Sequence, residues 1–137
     1  MGDVYLLKAR VAGAYEHFTQ SIHSYACKIK SGKLLYNPDR VIKAYGRAAE
    51  QCLDFILGYK LTEPDIAFDS QLDIVNREIE TCSARILDMS TDVSKAKEPL
   101  EFMHLSSAYL CILERYIVIR DALLDCMKES ASEEESK

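Results

Sequence analysis

The sequence predicts an all-α protein, an up-down-up-down antiparallel four-helix bundle, and three observations predict it. Glycine and proline fall almost wholly between helical patterns: Gly32 and Pro38, then Gly58 and Pro64, then Pro99. Between them lie stretches of roughly 20–30 residues with apolar residues at three- and four-residue steps, the length and period of bundle helices. The connections are short, which favours antiparallel neighbours. No longer period repeats along the chain, so a solenoid has no support.

The first helix is expected over about residues 3–30. Val4, Leu7, Val11, Ala14, Phe18, Ile22, Tyr25 and Ile29 line one face. Asp3 is placed to cap its start, while Lys28 and Lys30 suit its negative end and Ser31-Gly32 stops it. The second helix has a clear start: Asn37 as N-cap, Pro38 in the first turn, Asp39 on the N-terminal dipole. Its seam is Val41, Tyr45, Ala48, Cys52, Phe55 and Tyr59, ending near Gly58 to Lys60. Gly46, inside that pattern, suggests a close helix approach.

The third helix is expected to start between Thr62 and Ser70 and to end at Ser90-Thr91-Asp92. Leu72, Val75, Ile79, Cys82, Ile86 and Met89 form its single seam. The fourth begins at Pro99 and is expected to reach about Lys128. It carries two adjacent stripes. Phe102, Leu105, Tyr109, Ile112, Tyr116, Ile119, Leu123 and Cys126 make one, and Met103, Leu110, Leu113, Ile117, Leu124 and Met127 the other. An arc that wide belongs to a helix that is central or partly covered by another chain. One helical domain over 1–128 is therefore expected, followed by a disordered acidic tail over 129–137 with no large apolar anchor.

Composition narrows the function. The net charge of −5 does not draw nucleic acid or anionic membrane to the molecule as a whole. The uncharged run from Leu105 to Leu113 is about half a membrane span, and the start lacks the basic and apolar regions of a leader, so a cytoplasmic protein with no membrane partner is expected. Five widely spaced cysteines form neither a disulfide framework nor a zinc motif and read as free thiols in a reducing compartment. None has a neighbouring His in the sequence reading to lower its pKa.

Charge is unevenly placed. Residues 1–60 hold nine Lys/Arg against five Asp/Glu, and residues 61–137 hold eight against seventeen. An up-down chain would gather the first and third connections at one end, bringing together Lys28, Lys30, Lys33, Arg40, Lys43, Lys95 and Lys97. Those seven residues are the candidate anion-binding set, for phosphate, nucleic acid or an acidic partner. No phosphate loop accompanies them, since Ser31-Gly32-Lys33 lacks the required spacing.

Two further patterns bear on catalysis. Glu101 and His104 form a single Glu-x-x-His, a spacing that di-iron bundles use twice together with two more glutamates. One copy supports no metal site. Arg10 and His17 form an R-x6-H pair that is similar to the loose R-x(4–6)-H of HEPN-type helical RNases, where Arg steadies the scissile phosphate and His does acid–base work. In that family the pair lies late in the domain, whereas here it sits on the first helix. Arg120 interrupts the second stripe of the fourth helix and is expected at an interface or beside an acid such as Glu78. The sequence is thus read as a small interaction or scaffold protein, self-associating or binding a protein partner through its fourth helix, with no cofactor, metal or catalytic site. The alternative reading is a module that binds nucleic acid or a phosphate ligand at the basic end, with an RNase using Arg10 and His17 as its catalytic version.

Overall fold

The computed structural model describes residues 2–62, 67–91 and 99–135. They form four helices: α1 (Gly2–Lys30), α2 (Asp39–Thr62), α3 (Phe68–Thr91) and α4 (Pro99–Glu135). No strand occurs among the described residues. The protein is all-α.

Helix ends follow local chemistry. Asn37 Oδ1 accepts the Asp39 N–H at 3.0 Å, so Asn37 caps α2. Gly32 has φ of 68°, and Lys33 N–H reaches back to the Lys28 carbonyl at 3.1 Å, closing α1 in a Schellman turn. Two ends depart from the pattern reading. α1 already begins at Gly2, so Asp3 stands in its first turn instead of capping it. α4 runs on to Glu135, past the boundary expected at Lys128. The stretch holds no Gly or Pro, and its Ser, Ala and Glu residues permit a helix to continue where no apolar anchor is available.

Most of the core lies on the expected seams, but Ile29, in the last turn of α1 and beyond the packed part of the seam, is 48% exposed, and Ala49, Ala108 and Ala122 join the core from outside the seams. Leu7, Val11, Ala14 and Phe18 of α1 meet Val41, Tyr45, Ala48, Cys52, Phe55 and Tyr59 of α2. Val75, Cys82 and Met89 of α3 and Leu105, Ile112, Tyr116, Ile119, Leu123 and Cys126 of α4 complete it. Burying such side chains is worth about 1.5–3 kcal/mol each for the larger ones, which is why the apolar seams dictate the arrangement. α4 packs closely against all three other helices, and α1 against α2. α2 and α3 have no comparably close backbone packing and are joined by long side chains, Arg47 to Glu78 and Tyr59 to Gln71.

The second stripe of α4 is covered only in part: Leu113, Ile117 and Met127 are half-buried, and the rest is exposed. Met103 is 63% exposed, Leu110 46% and Leu124 37%. Gly46 is no close approach: a Cβ built there meets nothing within 4 Å. Arg120 does not reach Glu78; it lies 3.5 Å from its neighbour Asp121.

Candidate functional site

Where α2 and α3 stand apart, a pocket of about 270 Å³ opens over α4. Arg40, Lys43 and Arg47 of α2 and Arg85 of α3 line it, with Glu78, Thr81 and Cys82 of α3. Ala44, Ala48, Tyr109 and Ile112 form its apolar wall. The α2 contribution follows from helix geometry. Positions 40, 43 and 47 step by three and four, so they make a basic row on one face. Ala44 and Ala48 interleave with it and leave room for the long side chains.

Two carboxylates meet these cations. Glu101 lies 3.6 Å from Arg40, and Glu78 accepts a hydrogen bond from Arg47 at 3.1 Å. Arg85 stacks its guanidinium 5.6 Å from the Tyr109 ring centroid. Four cations and one lining carboxylate leave the pocket with positive charge in excess. Its floor is dry chemistry. Burial pushes the Cys82 thiol up to about 11, helped by Glu78 and opposed by Arg85 and Arg47. Tyr116 of α4 is 1% exposed, and its hydroxyl has no hydrogen-bond partner among the described residues. Burial raises its pKa, with Cys52, Glu78 and Cys82 adding to the shift and Arg47 opposing it. The hydroxyl is sealed in the core.

The seven sequence-predicted basic residues divide. Arg40 and Lys43 enter the pocket. Lys28 instead sets its ammonium 5.3 Å from the Tyr25 ring centroid. Lys30 and Lys33 are exposed, and Lys95 and Lys97 lie outside the described residues. Tyr36 of the first connection reaches His104 near the start of α4, so that connection and the α4 start share one end. Arg47 and Arg85 were missed. The 40-43-47 spacing was a usable signal for Arg47. Nothing local marks Arg85, which enters through the packing of α3.

The α1–α4 seam holds the remaining chemistry. His17 Nε2 lies 2.9 Å from Cys111 Sγ, and His23 lies 3.5 Å from Cys27 Sγ. The expectation that no thiol has a neighbouring His thus fails twice. Cys27 is exposed; Cys52, Cys82 and Cys126 are buried and Cys111 half-buried, all as free thiols. Burial lowers the His17 pKa, with Arg115 adding to the effect, and raises that of Cys111. Both groups are therefore favoured in their neutral forms. Arg10 lies two helical turns from His17, about 10 Å along the axis, in a groove with Glu114 and Arg115. Arg115 thus lies near both members of the expected Arg10/His17 pair, lining the Arg10 groove and acting on His17. Glu101 and His104 are spent separately, Glu101 on Arg40 and His104 on the hydroxyls of Tyr36 at 2.7 Å and Tyr25 at 3.2 Å. Among the described residues no three His, Cys, Asp or Glu side chains come together as a metal site.

Compared with known proteins, the chain matches no family model, no curated protein and no solved structure.

Proposed function

We propose that the chain is an up-down-up-down antiparallel bundle that works as a binding module for a small phosphate-bearing ligand, held between α2 and α3. Contact register supports the topology. Along α1 and α4, Tyr25 meets His104, His17 meets Cys111, and Arg10 shares a groove with Arg115 and Val118. Along α2 and α3, Arg47 meets Glu78 and Tyr59 meets Gln71. In both pairs one number rises as the other falls.

The observation that carries the function is the convergence of Arg40, Lys43, Arg47 and Arg85 on one pocket in a chain of net charge −5. Guanidinium groups match phosphate oxygens in pairs, which makes phosphate the favoured anion. A small ligand is favoured over nucleic acid because the cations are gathered in one place. A polymer would call for a long basic track and stacking aromatics, whereas the acidic remainder of the molecule repels it. Isothermal titration with inorganic pyrophosphate tests this against single-stranded RNA. Pyrophosphate binding that weakens with salt and vanishes in Lys43→Gln/Arg85→Gln is expected. Failure to bind at low salt, or preference for RNA, would contradict it.

A second reading has its own observation. The stretch Pro99–Glu129 contains an 18-residue window of mean hydropathy 1.3, of which 28% is buried. By length and apolarity it passes as a membrane span. Glu114 and Arg115 at its middle are exposed, and each charge costs about 2.5–3.5 kcal/mol or more at a bilayer centre. A protein surface is the better cover for Met103, Leu110 and Leu124. Self-association of a cytoplasmic protein through α4 is the form this reading takes. Sedimentation velocity of Leu110→Lys against the parent checks it: a concentration-dependent dimer lost in the variant supports it, and a monomer at all concentrations removes it.

A further inference from the structure

The two imidazole–thiol pairs differ in geometry. His17 and Cys111 come from different helices, are partly buried, and lie 2.9 Å apart. His23 and Cys27 are one turn apart on α1, both exposed, with Nε2 3.5 Å from Sγ. Residues at i and i+4 of a helix share a face, so the second pair offers a nitrogen and a sulfur to solvent side by side.

That separation has a chemical meaning. In a tetrahedral zinc centre, a Zn–S bond of about 2.3 Å and a Zn–N bond of about 2.0–2.1 Å put sulfur and nitrogen about 3.5 Å apart. His23 and Cys27 already hold one edge of such a centre. His17 and Cys111 are too close together for one, and a metal across them would have to force a packed seam apart. Thiolate and imidazole ligands suit zinc, whereas calcium and magnesium take oxygen. The exposed pair also lies near the carbonyl end of α1, which favours a cation.

One chain supplies that edge and nothing more. Among the described residues no third His, Cys, Asp or Glu joins the pair. A structural zinc site takes four protein ligands. A second copy of this chain brings the same two, and a two-fold axis through the metal gives two cysteines and two histidines. Lys28 and Lys30 are exposed beside the pair and carry like charge on both copies, so the two chains repel here until a metal holds them.

We propose that His23 and Cys27 are half of a zinc-type metal site, completed by the same two residues of a second copy, so that the metal ties two bundles together by their first helices. On binding, each Cys27 thiol releases its proton to solvent, and each His23 ligates as neutral imidazole through Nε2. This contact uses α1 and is separate from the exposed α4 surface.

The experiment uses the full chain with a non-chelating reductant, which keeps Cys27 from forming a disulfide between copies. Cobalt(II) is the spectroscopic probe and zinc the competitor. The parent is expected to gain a thiolate-to-cobalt charge-transfer band and the visible bands of a tetrahedral centre, to saturate at one metal per two chains, and to lose these bands to zinc. Cys27→Ser and His23→Gln change exposed positions and are expected to stay helical and lose the bands; His17→Gln is expected to keep them. Sedimentation velocity is run on Leu110→Lys, in which association through α4 is removed: zinc is expected to convert monomer to dimer, and a chelator to reverse it. Absence of the bands in the parent overturns the site. So does their survival in Cys27→Ser, which would put the metal on another thiol. Saturation at one metal per chain with no dimer overturns the shared centre.

Discussion

The two long seams of this bundle handle polar groups in opposite ways. Between α1 and α4, His17 pairs with Cys111 and Tyr25 with His104 without ion pairing, while Arg10, Glu114 and Arg115 line a groove farther along the same seam. The α2–α3 seam is ionic instead, with Arg47 on Glu78 and further cations left over around an open pocket. α4 serves both seams with different faces of one helix. The hydrogen-bonded stretch of the α1–α4 seam spends its polar groups on one another. An open seam with surplus charge keeps unspent binding capacity. The proposed ligand site draws on the second seam.

The largest expected effect removes what both seams share. Ile112 is a buried core residue of α4 that also lines the charged pocket. Ile112→Asp would bury an unpaired carboxylate, and the variant is expected not to fold, giving a coil-like circular dichroism spectrum. Native-like helicity in that variant would mean the apolar seam is not the core.

Next in size is the loss of one seam's chemistry alone. Arg47→Gln/Arg85→Gln is expected to abolish pyrophosphate binding while leaving helicity intact, since both guanidinium groups reach the surface. Calorimetry and circular dichroism on the same sample check both halves of that statement.

The neutral seam is expected to respond to acid. The folded His17 has a pKa below the unfolded value of 6.5, so the unfolded chain binds the proton more readily. Stability from this group is present above 6.5 and is lost as pH falls through the lowered folded value. Between about pH 7.5 and about 5.5 the parent is expected to lose more melting temperature than His17→Gln. Equal losses would show that the seam does not favour the neutral imidazole.

The smallest effect concerns neither seam's chemistry. Gly46 lies in α2 with free space around its Cβ position. Gly46→Ala is expected to stabilise the protein by about 0.5–1 kcal/mol, read from chemical denaturation, because the substitution removes backbone freedom from the unfolded chain. Destabilisation would restore the close approach that the glycine first suggested.

Sequence legibility followed the same division. The core seams were readable because helical periodicity needs no knowledge of partners: Phe18, Cys52, Val75 and Ile112 are each where the spacing puts them. Caps were readable where chemistry is local, as at Asn37 and Gly32. The charged pocket was only half visible. Arg40 and Lys43 stood in a basic set defined by the connections at one end of the bundle, whereas the structure groups them along a helix side with Arg47 and Arg85. Which cation faces which helix is decided by the rotation of α3 against α2, a tertiary quantity. The same is true of His17 and Cys111, 94 residues apart. His23 and Cys27, one turn apart on α1, were within reach of the spacing rule.

The central claim is that anion recognition belongs to the charged seam alone, and the arginine side-chain resonances test it most directly. In a titration with inorganic pyrophosphate, signals of Arg40, Arg47 and Arg85 are expected to shift together and saturate. Those of Arg10 and Arg115, which face the α1–α4 groove, are expected to stay in place. Uniform small shifts of all five, growing without saturation, would show general screening of surface charge and would contradict a binding site between α2 and α3.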